Sequence, residues 1–159
     1  MDQLNLGKAI ERAKNYQTQL IVLHGEFVSQ CIVHASSFYD LPIINLSLEL
    51  SNLLLTIPSQ DRAISASSVF TKLIAEQKAP VLLLDHIEII FDRSLSIDPL
   101  KLLQNNAKNT TLIISWPGEK TASSLAYATP SHSEYRCYKT SDFGETIFIE
   151  VNENNKEAI

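Results

Sequence analysis

Glycine is scarce in this sequence, with 4 residues among 159, at positions 7, 25, 118 and 144. A phosphate-binding P-loop of pattern GxxxxGK[ST] needs glycine because its backbone approaches the phosphates closely. Counted from Gly25, the pattern requires Gly, Lys and Ser or Thr where the chain has Gln30, Cys31 and Ile32. No other glycine has the spacing to supply that loop. A standard phosphate cradle is therefore excluded.

Basic residues are also few, and they form no cluster. The chain has 13 Lys and Arg against 18 Asp and Glu, a formal net charge of −5. It therefore lacks the positive surface through which most proteins hold nucleic acid, and direct DNA binding is not expected. Neither a leader pattern nor an apolar run of about 18 residues is present. We therefore expect a cytoplasmic protein with no membrane attachment.

Cysteine and histidine show no metal-binding pattern. Cys31 and Cys137 are the only cysteines, and neither belongs to a CxxC pair. We predict that both are reduced, packed thiols. The histidines have no standard ligand spacing and are interpreted as structural residues; they are His24, His34, His86 and His132.

The most informative stretch that is present is PVLLLD at 80–85. Four aliphatic residues followed by an acid predict a short strand that is buried on both faces. Asp85 would then lie at the carboxyl edge of a parallel sheet. Open α/β sheets bind ligands there, and a P-loop ATPase keeps its magnesium-coordinating aspartate there. The alternative is an acid that merely ends a strand, and this short pattern does not separate the two.

Helical and strand patterns alternate along the chain. They predict helices at 3–16, 27–38, 47–57, 65–78 and 98–107, with Ser47 and Asp98 as N-caps, and strands at 20–24, 41–46, 81–85 and 110–115. Short strands follow at 125–128, 135–138 and 146–151. This order predicts an α/β fold: a three-layer, AAA-like P-loop NTPase sheet of parallel strands, helices on both faces, and a short strand-rich C-terminal part. We predict one domain at 1–151 and a polar tail at 152–159.

Five runs of the sequence, in order, resemble the BrxF family, the small P-loop-type components of type III BREX bacteriophage-defence systems. They are INLSLELS (44–51), LLDHIEIIFD (83–92), DPLKLLQ (98–104), SWPGE (115–119) and LAYATPSHSEY (125–135). The resemblance implies a subunit of a complex that methylates host DNA and blocks phage replication. Other BREX subunits are the implied partners, and a homo-oligomer is left open.

The resemblance also assigns roles to individual residues. Asp85 and Glu88 match the acids that would bind Mg²⁺ and activate water in an ATPase. Lys108 stands where the family has an arginine that would reach a neighbouring subunit. Independently of the resemblance, Arg93, directly after Phe91-Asp92, is a second candidate for that contact. Because the P-loop is degenerate, no cofactor is expected for the isolated chain. ATP and Mg²⁺ belong to the alternative of an active ATPase.

The remnant of the phosphate loop comprises Gly25, Glu26 and Ser29. Glu26 is expected near a helix N-terminus, where its carboxylate would satisfy the amides and dipole that otherwise attract phosphate. The alternative is a solvated capping residue without inhibitory effect. An ATPase that uses this noncanonical loop remains the competing function.

A partner-binding surface is expected in the loops that follow the strands. Its predicted members are Trp116, Glu119, Tyr135 and Arg136, with Tyr127 and His132 nearby. Aromatic and guanidinium side chains dominate many binding hot spots. The alternatives are a packed indole at Trp116 and a small hairpin packed against the main sheet.

Overall fold

Strands and helices alternate through residues 5–156, the part of the chain that the computed structural model describes. The strands are β1 (Leu20–Gly25), β2 (Ile43–Asn45), β3 (Val81–Asp85), β4 (Thr111–Ser115), β5 (Ser124–Tyr127), β6 (Arg136–Lys139) and β7 (Ile147–Val151). The helices are α1 (Leu6–Ala13), α2 (Val28–Tyr39), α3 (Leu46–Leu55), α4 (Arg62–Glu76) and α5 (Pro99–Asn106). Short 3-10 helices include Glu88–Phe91 and Arg93–Leu95.

Five parallel strands form the main sheet, in the order β2-β3-β4-β1-β7. This confirms the predicted α/β class with a parallel sheet. Because the strands are parallel, their carboxyl ends lie along one edge. The register pairs Leu23 of β1 with Ser115 of β4 and Asn45 of β2 with Asp85 of β3. Asp85, Ser115 and Gly25 thus end three adjacent strands at that edge.

The sheet is buried on both faces by helices. Leu20 and Val22 belong to a core with residues of α3, α4 and α5, whereas Ile21 and Leu23 belong to a second core with α1 and α2. Alternate side chains of one strand thus enter opposite layers, as strand geometry requires. All five residues of β3 are buried, which confirms the strand predicted from the aliphatic run.

Helix ends follow local capping chemistry. Asp98 accepts a hydrogen bond from the Lys101 amide and Pro99 opens α5, as predicted. The prediction for α3 was wrong by two residues: Asn45, not Ser47, is the cap, and its side chain accepts from the Leu48 amide. The first helix covers Leu6–Ala13 rather than 3–16. Positions 3 and 4 of that prediction lie outside the described residues.

The C-terminal strands divide between two sheets. β5 and β6 pair antiparallel in a hairpin, whereas β7 joins the main sheet beside β1. Ile147, Ile149 and Val151 are buried in the α1 and α2 layer, which explains why β7 does not extend the hairpin. Asn152 and Asn155 then close a turn through side-chain hydrogen bonds. Residues 157–159 of the predicted polar tail lie outside the described part.

Candidate functional site at the carboxyl edge of the sheet

Asp85 is a buried carboxylate at the end of β3, with 7% of its surface exposed. Its Oδ1 accepts hydrogen bonds from Ser115 Oγ at 2.5 Å, from the His86 amide at 3.0 Å and, more weakly, from Ser29 Oγ at 3.4 Å. The chain itself thus supplies the donors that a buried charge requires. The predicted candidates Asp85 and Ser29 lie together here, with Ser115 as the third member.

His86 lies between the two candidate acids. Its Nε2 is 3.6 Å from Asp85 Oδ2, and its Nδ1 is 4.0 Å from Glu88 Oε1. The His86 backbone is left-handed, with φ of 52°, an uncommon conformation for a residue other than glycine. The two distances show that the imidazole faces both Asp85 and Glu88.

Ser47, at the start of α3, fixes the turn that carries these residues. Its Oγ donates to the His86 carbonyl oxygen at 2.6 Å, and the Ile89 amide donates to that Oγ at 3.2 Å. The Ser47 amide also donates to the His86 carbonyl at 2.8 Å. Glu88 Oε2 is 3.5 Å from the same hydroxyl. α3 therefore anchors the segment after β3 at the sheet edge.

Sequence reasoning placed His86 and Ser47 outside the site. His86 was interpreted as a structural residue, and Ser47 as a helix cap. The available signal was the run Asp85-His86-Ile87-Glu88, which puts an imidazole between two acids directly after a buried strand. Nothing local marks Ser47, because its partners lie about 40 residues further along the chain.

The connection between β1 and α2 consists of only two residues, Glu26 and Phe27. Phe27 has φ of 60°, and no side chain caps α2. Gly25 has φ of 106° and lies against β7: a Cβ added to it would be 2.5 Å from the Val151 carbonyl oxygen. This tight turn leaves no room for the longer loop of the pattern GxxxxGK[ST].

Glu26 is exposed beside the first turn of α2, and no ion pair links it to a Lys or Arg within residues 5–156. The structure thus places it near the helix N-terminus, but among the described residues no hydrogen bond joins its carboxylate to the amides of α2, contrary to the expected capping. The Phe27 ring is covered by Lys156, whose Nζ lies 4.6 Å from the ring centroid. Lys156 also forms an ion pair with Glu153 at 2.7 Å. The C-terminal turn therefore packs against the remnant of the loop.

Trp116 does not lie on the surface, which corrects its placement in the expected partner-binding surface. The side chain is 1% exposed, and its Nε1 donates to the Ala126 carbonyl oxygen at 2.8 Å. Its ring packs edge-on against Phe91 and Phe143. The alternative of a packed indole is the one that the structure supports.

The β5–β6 hairpin has an inner and an outer face because side chains alternate along each strand. Arg136 is half-buried and donates from Nη2 to the Ile97 carbonyl oxygen at 3.3 Å, so it ties the hairpin to the domain. Tyr127 is also buried, stacked on Phe91 with ring centroids 3.8 Å apart. Burial, followed by the charges of Glu134 and Glu88, raises the pKa of Tyr127. The burial of Tyr127 supports the alternative of a hairpin packed against the domain, and Arg136 is half-buried rather than on the fully exposed surface that was predicted.

Glu119 and Tyr135 remain accessible and lie together. Both line a cleft of about 390 Å³ on the outer face of the hairpin, which also includes Cys137. His132 is exposed on the loop between β5 and β6. The structure therefore keeps two of the four predicted partner-binding residues on one surface and separates them from Trp116 and Arg136.

The two candidates for an intersubunit cation lie apart from the acids. Lys108 precedes β4, so it is at the amino edge of the sheet, opposite Asp85. Its carbonyl oxygen accepts a hydrogen bond from Gln19. Arg93 is exposed in the 3-10 helix Arg93–Leu95, beyond the segment that carries Glu88.

The two cysteines differ in environment. Cys31 is packed in α2 as predicted, and burial raises the pKa of its thiol to about 11. Cys137 is exposed on the outer face of the hairpin, so the prediction of a packed thiol was wrong there. The alternation of side chains along β6 does not reveal which face of that strand packs against the domain, so the exposure of Cys137 could not be predicted.

Within residues 5–156, no group of three or more His, Cys, Asp or Glu side chains is arranged to hold a metal ion. Asp85 Oδ1 is engaged by donors of the chain itself, and His86 faces Oδ2. As placed, these residues do not fit a bound Mg²⁺. In the same part of the chain, no helix is both long enough and apolar enough to cross a membrane.

The fold and the edge geometry define an α/β domain with an acid-containing site at the carboxyl ends of parallel strands. No protein-family model, no curated protein and no solved structure matches this chain.

Proposed function

We propose that this chain is a P-loop-like domain without a working phosphate loop, which acts as a protein-binding or regulatory subunit of a BREX-type bacteriophage-defence system in the cytoplasm. The resemblance of five ordered runs to the BrxF family supports the assignment to that system. The observation that supports the loss of nucleotide hydrolysis is the connection between β1 and α2, which has only two residues in place of a phosphate-binding loop.

The arrangement of the strands supports a P-loop-like origin. β4, which ends in Ser115, lies between β1 and the acid-terminated β3. In AAA-type ATPases a sensor strand occupies this place, between the strand of the phosphate loop and the strand of the metal-binding acid. The hydrogen bond from Ser115 to Asp85 joins the sensor and acid positions directly.

The missing loop has a large energetic effect. A lysine and the cradle amides each contribute a charge-assisted hydrogen bond of about 1.5 to 3 kcal/mol. Losing two such bonds weakens binding by roughly a thousandfold, because each 1.4 kcal/mol is about a factor of ten. The two-residue turn after Gly25 lacks the lysine and is shorter than the loop whose amides cradle phosphates in the pattern GxxxxGK[ST]. ATP binding in the micromolar range is therefore not expected.

The competing function is an ATP-binding, AAA-type subunit of the same system. One contact favours it: Ser29 Oγ is 3.4 Å from Asp85 Oδ1. P-loop NTPases use a Ser or Thr at the start of the helix together with an aspartate to hold Mg²⁺. A partner chain would then have to complete the phosphate site.

A defence assay with Asp85→Asn separates these functions. The substituted side chain retains an oxygen that accepts from Ser115 but loses the charge that binds Mg²⁺. In bacteria that carry the complete defence system, we expect plaque counts within about threefold of wild type, because the proposed function requires no hydrolysis by this chain. The measurement is the efficiency of plating, with protein abundance checked by immunoblot.

Asp98→Asn provides the matched control, because asparagine caps α5 as well as aspartate does. Loss of protection in Asp85→Asn to the level of a gene deletion, at normal abundance and with the Asp98→Asn control intact, would support the ATPase instead.

A further inference from the structure

The outer face of the β5–β6 hairpin carries a half-open cleft that the acid site does not use. Its volume is about 390 Å³, within the range of ligand-binding sites. Glu119 and Tyr135 lie on its wall, and Ala126 and Cys137, a cross-strand pair, are also among the lining residues. Pro130 contributes from the loop between the strands. The cleft is built on paired strands rather than on loops alone.

The chemistry of this cleft favours a cation. Glu119 is its one carboxylate, and no ion pair joins it to a Lys or Arg among residues 5–156. The nearest candidate in sequence, Lys120, is directed elsewhere: its Nζ lies 5.1 Å from the centroid of the Phe148 ring. The charge of Glu119 is thus left for an external partner.

Tyr135 also lines this cleft and supplies an aromatic ring. A tyrosine phenol, whose pKa is ordinarily about 10, is neutral at physiological pH, and the neighbouring Cys137 side chain, followed by burial, raises the pKa of Tyr135 further. A neutral tyrosine ring attracts a guanidinium or ammonium group placed over its face, and arginine engages a carboxylate and a ring together. An anionic ligand would instead be repelled by Glu119.

We propose that the cleft binds an arginine or lysine side chain on a segment of a partner protein. This inference rests on the proposed function, because it specifies the chemistry of the partner. Glu119 pairs with the cationic head group, Tyr135 covers its stem, and the small side chains of Ala126 and Cys137 leave the space that it fills. The net charge of −5 also favours the approach of a basic segment.

The test uses a random peptide library displayed on phage, selected in parallel on the wild-type protein and on Glu119→Gln. Peptides selected by the wild type should be enriched in Arg or Lys. The best binder is then synthesised, and its affinity is measured by calorimetry. We expect Glu119→Gln or Tyr135→Ala to weaken it about tenfold or more, in line with the loss of one charge-assisted contact.

Two controls locate the effect. Replacing the selected arginine of the peptide by citrulline, its neutral isostere, or a lysine by norleucine, should weaken binding to the same extent as Glu119→Gln. Glu11→Gln removes an exposed acid from α1, on the other face of the sheet, and should change the affinity by less than about twofold.

The proposal is overturned if no peptide is selected, if basic residues are not enriched, or if Glu119→Gln leaves the affinity unchanged. An ATP titration on the same preparations separates this failure from that of the proposed function. If the chain binds neither ATP nor basic peptides, only the assignment of the cleft is wrong. Tight ATP binding would instead contradict the proposed function.

Discussion

Replacing Trp116 with alanine should lower the free energy of unfolding by about 3 to 5 kcal/mol, the usual cost of removing a buried large aromatic side chain. The indole is 1% exposed, contacts Phe91 and Phe143, and holds the hairpin through its bond to the Ala126 carbonyl. Urea unfolding followed by circular dichroism measures the loss. The melting temperature should fall by roughly 10 °C.

Trp116→Phe is the control, because it keeps much of the apolar volume but removes the indole N–H. Trp116→Phe should lower the free energy of unfolding less than Trp116→Ala does. Part of the loss that remains in Trp116→Phe should come from the Ala126 carbonyl oxygen, which no longer accepts a hydrogen bond. A Trp116→Ala protein with wild-type stability would contradict the buried position and restore Trp116 as a surface residue.

Replacing Gly25 with alanine should destabilise the domain by about 3 kcal/mol or more. A side chain at φ of 106° is strained by about 1 to 3 kcal/mol, and its Cβ would be 2.5 Å from the Val151 carbonyl oxygen. The glycine is thus required by the contact between β1 and β7, independently of any phosphate. Thermal and urea unfolding of the purified variant measure the change.

Gly7→Ala is the matched control, since Gly7 lies in α1 and an added Cβ would meet the Tyr39 ring at 3.4 Å, an ordinary contact. Its stability should change by no more than about 1 kcal/mol. If the two substitutions change stability equally, the close approach of β7 to Gly25 does not cause the loss of stability in Gly25→Ala.

Most of the main sheet could be predicted from local patterns. The aliphatic run before Asp85 is long enough to mark a strand buried on both faces, and Asp98-Pro99 fixes the start of α5 through capping. β7 was found as a strand but not placed, because its partner β1 lies more than 120 residues away in sequence. Pairing over that distance is decided by tertiary packing, which alternation within one strand does not encode.

The sequence predicted Asp85, Glu88 and Ser29 of the candidate site, but neither His86 nor Ser47. Asp85 follows directly from the aliphatic strand that it ends, whereas Glu88 was implied only by the resemblance to the BrxF family. The sequence does not distinguish the two roles of Ser47, because a hydroxyl near a helix start fits both a cap and a tertiary hydrogen bond. Trp116 was assigned to the surface because a Trp-Pro-Gly turn shows no periodicity that distinguishes buried from exposed side chains. Only the packing of the hairpin on Phe91 decides that question.

Calorimetric titration of the purified protein with ATP in the presence of Mg²⁺ tests the central claim most directly, which is that the turn at Glu26 and Phe27 has replaced the phosphate loop. If the turn has replaced the loop, the dissociation constant should be roughly millimolar or weaker and unchanged by Asp85→Asn. A low-micromolar dissociation constant that depends on Mg²⁺ and is abolished by Asp85→Asn would contradict the claim.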